Sequence, residues 1–329
     1  MMTGCPIKPR LPGLPGLPGP PDYSRVFYCD PPSHDFCVFL IIAELMRRYH
    51  QAPAPLRVKF GLIDDRLGAL DFGHLSPHEM KAFPCDATRE YFYQMLPNVL
   101  RPAMQMIGAV EDAPVYGPFD QPELRGYVEY DYHIHQLVDA ARAGFQIPKW
   151  VIPDWATRKI EAAFPHRRPV VITLREVAQQ PERNSNLPEW VKFAESIKND
   201  YDVIFLRDTC RAWEGLGEFK IAPDASQNIH LRAALYQHAL VNLFVGNGPF
   251  VWCLFSDSPY LIFKQIIPEI ANWAHARPDG WREFDHLEVG DQWPWANQWQ
   301  RMTWLDDNFD NIRYEFDQFI IDRKIAAAA

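Results

Sequence analysis

Long apolar runs are missing from this chain. The longest, Phe36 to Ala43, falls far short of the ~20 residues that a membrane-spanning helix needs. Positive charge is also in short supply, with 33 Lys and Arg against 42 Asp and Glu, a formal net charge of -9. That balance excludes a general binder of nucleic acid or anionic membranes and leaves room only for a local basic cleft. Cysteine is sparse. Cys5, Cys29, Cys37, Cys85, Cys210 and Cys253 form no CxxC pair, so neither structural zinc nor a disulfide framework is expected. Cys37 and Cys253 lie inside apolar runs, as buried free thiols do. Met1 to Arg10 lacks an apolar h-region, so no signal peptide is expected. These signs together predict a reduced, cytoplasmic protein. Several catalytic signatures are absent as well: there is no P-loop, no GxSxG, no HExxH, and no GxGxxG after the first predicted strand. The last absence argues against an ordinary NAD dehydrogenase.

What the sequence does contain is enough apolar material for a sizeable core, with 47% hydrophobic and 23% charged residues in 329. At one domain per ~150 residues, two domains are expected. The first 24 residues carry three Leu-Pro-Gly triplets between Leu11 and Gly19. Three are too few for a collagen helix, so an extended, flexible tail is predicted.

From Arg25 the pattern becomes strand, turn, helix, strand. Arg25 to Cys29 reads as a buried strand and Asp30 to Ser33 as a turn. His34 to His50 reads as a helix with Phe36, Phe39, Leu40, Ala43 and Met46 at helical spacing, and Leu56 to Ile63 as the next strand. This βαβ opening predicts a parallel sheet. Thr88 to Met106 reads as a helix broken at Pro97 and Pro102. Tyr127 to His135 alternates like a strand, followed by a short helix over Leu137 to Ala143. The second half repeats the alternation more cleanly. Strands are predicted at Val170–Leu174, Tyr201–Leu206, Ala239–Val245 and Tyr260–Phe263, with helices at Trp155–Phe164, Pro188–Lys198, Leu231–His238 and Phe250–Phe255. An α/β fold with two Rossmann-like domains facing across a cleft follows, and ligands in such sheets sit at the carboxyl ends of the strands.

The candidate residues sit at those ends. Arg175 directly follows the strand VVITL, and Arg183, Asn184 and Ser185 follow on the same loop. Two guanidinium forks on one loop suit a diphosphate or carboxylate. Gly246-Asn247-Gly248-Pro249 closes another strand and opens a helix with Pro near its first position, an arrangement that turns free N–H groups toward an anion. Ser256 of the next loop is a possible addition to the pocket, and Asp208 ends the strand YDVIFL. His34 and Asp35 open the first helix, where either is a candidate general base. Asp35 there also complements the helix dipole. His133-x-His135 would place two imidazoles on one strand face, but with no further ligand nearby it reads as polar surface rather than a metal site. Trp293, Trp295, Trp299 and Trp304 read as packing between domains.

The runs VVITLRE, RNSN, LPEWVKFAESI, YDVIFLRDT and LRAALYQHALVNLFVGNGPFVWCLFSDSPYLIF, with the opening FYCDPPSHDFCVFLIIAEL, resemble GT-B-type glycosyltransferase-like proteins of bacterial sugar and surface-polysaccharide clusters. The resemblance spans Arg25 to Lys264. It implies an acceptor domain over 25–150 and a nucleotide-sugar donor domain over 151–329, the latter ending in an aromatic helical segment. It also implies a nucleotide-sugar co-substrate and a hydroxyl or glycan acceptor, with no cofactor and no metal. By position, Arg175 and Arg183 would neutralise the donor diphosphate, and Asn184 would bond phosphate or sugar. Gly246, Asn247 and Gly248 would cradle phosphate, and Asp208 would meet the ribose or base. The Glu-rich donor signature of retaining enzymes is absent. A nucleotide-sugar epimerase and a non-enzymatic scaffold on the same fold remain as alternatives.

Overall fold

A computed structural model describes residues 24–28, 35–62, 96–111, 115–116, 134–178, 180–267, 281–282 and 286–328. It is an α/β protein with two parallel sheets. In the first half, β1 (Ser24–Tyr28) pairs in parallel with β2 (Arg57–Leu62), Phe27 opposite Phe60. The short strands β3 (Val110–Glu111) and β4 (Val115–Tyr116) add in parallel to β2. The crossover from β1 to β2 is α1 (Asp35–Tyr49), which buries Phe36, Phe39, Leu40, Ala43 and Met46, the residues whose helical spacing predicted it. Of the helix expected over Thr88–Met106, the described part begins at Leu96: a π-turn over Leu96–Leu100, which contains Pro97, runs directly into α2 (Arg101–Ile107), with Pro102 in its first turn, and Gly108 ends α2 in the left-handed conformation. The last residues of the expected strand Tyr127–His135 are helical instead. His135 lies in α3 (Ile134–Arg142), where Gln136, Leu137, Val138 and Ala140 are buried at helical rather than alternating spacing. His133 lies outside the described residues, as do the tail over 1–23 and the first loop, His34 included.

The second half is built on six parallel strands. These are β5 (Val170–Thr173), β6 (Val203–Leu206), β7 (Lys220–Ile221), β8 (Val241–Val245), β9 (Tyr260–Phe263) and β12 (Gln300–Met302), in the order β12-β9-β8-β5-β6-β7. Numbered within this half, that order is 3-2-1-4-5-6 read from β7, the doubly wound arrangement of Rossmann folds. The strands alternate strictly between two apolar layers. Val170, Ile172, Phe205, Leu243 and Phe263 face α5 (Leu187–Ile197) and the C-terminal helix α9 (Phe309–Ala328). Val171, Ile204, Phe244 and Ile262 face the layer containing α7 (Ile229–His238) and α8 (Val251–Leu254). With both faces covered, the strands read as continuous apolar runs. The helices α4 (Asp154–Ala163) and α6 (Pro223–Gln227) and the small antiparallel pair β10 (Trp281–Arg282) and β11 (Leu287–Glu288) complete the described elements.

The second layer is continuous with the core of the first half. Trp150, in the connecting segment, donates its backbone N–H to Phe255 O (2.8 Å) and its indole N–H to Val251 O (3.0 Å), while Val151 N–H donates to Met106 O (2.7 Å). His230 Nε2 lies 3.0 Å from Pro102 O. Trp293 is buried in the same layer, and its ring lies 5.2 Å from that of Trp295, which stacks on Phe255. Cys37 and Cys253 are buried free thiols, and Cys210 is exposed. Among the described residues no helix is long and apolar enough to cross a membrane.

Candidate functional site

In a 3-2-1-4-5-6 sheet the chain reverses direction of travel between the first and fourth strands, and a crevice opens at their carboxyl ends. Here those strands are β5 and β8, in register with Thr173 opposite Phe244. Arg175 stands two residues past Thr173, and Gly246 two residues past Phe244. The guanidinium loop and the glycine turn therefore flank the switch point from either side.

The loop after β5 is closely organised. Arg175 is 8% exposed. Its Nη1 donates to Gln180 O (2.9 Å) and to Asn184 Oδ1 (2.6 Å). Gln180, in a left-handed conformation with φ 50, also accepts from Arg183 Nη1 through its side-chain oxygen (2.8 Å). One residue thus gathers both arginines. Burial, followed by the neighbouring Arg183 charge, pushes the Arg175 guanidinium down to about 10. An anion placed beside the two guanidinium groups would offset that cost by direct attraction, as Asp208 and Glu182 already do in part. Asn184 clamps the loop with Oδ1 to Val177 N–H (3.2 Å) and Nδ2 to Val177 O (2.8 Å), while Ser185 Oγ accepts from Arg175 N–H (2.9 Å). Asn184 and Ser185 are therefore engaged in shaping the loop.

The neighbouring strand ends complete the edge. Asp208 Oδ2 accepts a short hydrogen bond from Glu176 N–H, which ties the end of β6 to that of β5. Burial raises the Asp208 carboxyl, opposed by that bond, Arg232 and Arg175. Beside it the buried Arg207 and Glu176 form a two-pronged pair, Nε to Oε2 at 2.9 Å and Nη2 to Oε1 at 2.5 Å, with Arg211 3.4 Å from the same carboxylate. The loop continues to Trp213, which is 71% exposed. Across the switch point, Asn247 Oδ1 accepts from Phe250 N–H (3.2 Å), so its side chain caps the turn it begins. Pro249 stands in the first turn, as expected. The helical segment is short, a 3-10 turn over Gly248–Phe250 and one α-turn over Val251–Leu254, so its dipole is weaker than that of a full helix.

The structure brings Arg175, Arg183, Asn184, Ser185, Asp208, Gly246, Asn247 and Gly248 to one edge. It does not bring Ser256 there. The short helix runs back along the sheet, and Ser256 lies in the turn before β9, at the amino-terminal edge, with Oγ bonded to Cys253 O (3.1 Å) and Ser258 Oγ (2.9 Å). His34 lies outside the described residues. Asp35 is the first residue of α1, after the carboxyl end of β1. Three residues of the edge went unread in the sequence: Trp213, alone in a Gly-rich loop, and the pair Lys264 and Asp307. Lys264 directly follows β9 with φ 56, and its Nζ donates to Asn184 O (2.8 Å).

A cavity of about 600 Å3 lies away from this edge, lined in part by Arg48, Phe145, Gln146, Lys149 and Trp295. Its cations are paired, Arg48 with Glu44 and Lys149 with Asp257, and Trp295 lies against Phe255 and Trp293. The switch point and the gathered guanidinium groups coincide instead at the carboxyl edge.

No protein-family model and no curated protein matches the sequence. Solved structures similar to it include the ADP-heptose LPS heptosyltransferase II of E. coli, with 8% identity, 91% of this chain and 99% of that chain covered, and a TM-score of 0.45. A family 9 glycosyl transferase of Veillonella parvula matches with 11% identity over 73% of this chain and 80% of that one, TM-score 0.38. The iron-containing dodecameric glycosyltransferase TibC of enterotoxigenic E. coli matches with 12% identity over 92% and 76%, TM-score 0.40. Likeness at this level carries no argument about chemistry.

Proposed function

We propose that the chain is a glycosyltransferase that moves a sugar from a nucleotide-sugar donor to a hydroxyl acceptor. The observation that carries this reading is the pair Arg175 and Arg183, gathered by Gln180 at the switch point opposite the Gly246–Pro249 turn. In this reading the two guanidinium groups hold the donor diphosphate, and backbone N–H groups of the Gly246–Gly248 turn approach it from the other strand. Asp208 meets the ribose, and Trp213 offers an indole face to the base.

The step is a displacement. The acceptor oxygen bonds to the anomeric carbon, and the bond from that carbon to the diphosphate oxygen breaks, its electron pair leaving on the diphosphate. The acceptor proton passes to His34 or to Asp35 at the start of α1. Negative charge grows on the leaving group as the bond breaks, so fixed cations there lower the barrier. Protein cations carry that charge in this reading, with no metal and no further cofactor.

The test is calorimetry with a panel of nucleoside diphosphates, followed by product analysis with nucleotide sugars, with and without an acceptor. Binding that disappears in Arg175→Ala supports the reading, and binding unchanged by that substitution refutes it. Conversion of the donor sugar without an acceptor would point to an epimerase. A second reading, a non-catalytic nucleotide-sugar binder, is favoured by the internal engagement of Asn184, Ser185 and Asn247. Binding with neither transfer nor donor hydrolysis across the panel would select it.

A further inference from the structure

The loop that carries Arg175 is tied to a part of the sheet three strands away. Asp307 follows β12 and is 1% exposed. Its Oδ2 accepts from Asn186 N–H (2.7 Å) and from Trp190 Nε1 (2.9 Å), and its Oδ1 lies 3.6 Å from Lys264 Nζ. Lys264 Nζ in turn donates to Asn184 O, and Asn184 Oδ1 receives Arg175 Nη1. The chain Asp307, Lys264, Asn184, Arg175 therefore runs along the carboxyl edge from the end of β12 to the end of β5. The lysine stands where its backbone is costly. Its φ of 56 is a conformation that glycine adopts freely and a lysine does not. Its N–H, bonded to Leu305 O (2.7 Å), helps to hold it there. The backbone position would suit glycine better, so the side chain explains the lysine.

We propose that Lys264 is a positioning residue for the anion site, held by Asp307 and acting through Asn184 to aim the Arg175 guanidinium. The ammonium replaces a direct tie between distant strand ends with a charged one that fixes the Asn184 peptide, and a charge-assisted hydrogen bond, here half-buried, is stronger than a neutral one. This inference rests on the anion-binding reading of Arg175, and its experiment separates the two.

Inorganic pyrophosphate serves as the probe, since it asks nothing of the base or sugar. Its affinity is measured by calorimetry for the wild type, Arg175→Ala, Lys264→Met, Lys264→Arg, Asn184→Ala and the double variant Lys264→Met/Asn184→Ala. Lys264→Met is expected to weaken pyrophosphate about tenfold or more, and Lys264→Arg, which keeps the charge, to recover most of that loss. Asn184→Ala is expected to weaken binding similarly, with the double variant little worse than either single one, because both act on the same guanidinium. A merely structural lysine would not produce this non-additivity. Unchanged affinity in Lys264→Met overturns the proposal while Arg175→Ala still loses binding, which leaves the anion-binding reading intact. Additive losses also overturn it, since they make Lys264 an independent contact to the ligand. Failure of the wild type to bind, or of Arg175→Ala to lose binding, removes the reading beneath both. Should Lys264→Met fail to fold, Lys264→Gln takes its place in the same cycle and is read in the same way.

Discussion

Arg175→Met should separate stability from binding. Against an ordinary arginine value of roughly 12.5, a guanidinium at about 10 has its charged form disfavoured by roughly 3 kcal/mol at neutral pH. The native state therefore binds this proton more weakly than the unfolded chain does. The sign follows: the penalty is fully present below about pH 10 and is relieved as the pH rises through that value toward the unfolded one. Replacing the side chain by a methionine removes the penalty. It also removes the donors to Gln180 O and Asn184 Oδ1, each worth about 1 kcal/mol. Asn184 Oδ1 keeps the Val177 N–H, so it is not orphaned. With the attraction of Arg175 to Asp208 and Glu182 also lost, the balance is a change within about 2 kcal/mol of zero, or a melting temperature within a few degrees of the wild type. Nucleoside diphosphate affinity should meanwhile fall by about 30-fold or more, as when one partner of a desolvated charge pair is removed. Differential scanning calorimetry and isothermal titration on the same preparations supply both numbers. A melting temperature lowered by more than about 5 °C with affinity intact would mean that Arg175 is a structural residue and that the electrostatic argument is wrong.

Other outcomes follow from the same edge. Arg207→Met leaves Glu176 buried with only the more distant Arg211 for charge, so unfolding in urea should show a loss of about 3 kcal/mol; a loss under ~0.5 kcal/mol, the level of an ordinary surface change, would refute the buried-pair assignment. Trp213→Ala should weaken nucleoside diphosphates about tenfold, the scale of one base stacked on an aromatic ring, while pyrophosphate affinity stays as it was; equal effects on both ligands would remove the base platform. Asp208→Asn keeps an acceptor for Glu176 N–H and removes a carboxylate whose folded-state value is raised by burial. For a raised acid, the wild type loses stability as the pH climbs from the unfolded aspartate value through the higher folded one. The variant should therefore show a flatter melting-temperature profile across that acidic window, and an unchanged slope would count against the burial argument.

The core of the sheet was legible in the sequence because its strands are buried on both faces. VVIT, VIFL, VNLFV and YLIF are apolar runs bounded by Arg, Gly and Lys, and each forms a strand within two residues of where the pattern puts it. The edges were not legible. Lys220–Ile221 and Gln300–Met302 are two- and three-residue strands of mixed polarity, with no period to detect. The alternation from Tyr127 to His135 misled at its end, because the burial of Leu137, Val138 and Ala140 draws His135 into a helix. At the site, Arg175 and Gly246 announced themselves by following apolar runs. Ser256 looked equivalent, but a loop that leads into a strand and one that leaves it cannot be told apart by composition. The Asp307–Lys264 link joins residues 43 positions apart in the chain through a left-handed lysine, and neither the pairing nor the dihedral leaves a mark in a single sequence.

Trp150 has a mechanical consequence. Its two bonds to Val251 and Phe255 fasten the connecting segment to the helix that grows directly out of the Gly246–Pro249 turn. Any displacement of that segment must either break those bonds or pull the glycine turn along with it. The segment that joins the two halves and the turn beside β8 are thus coupled through one residue, by its backbone N–H and its indole N–H together.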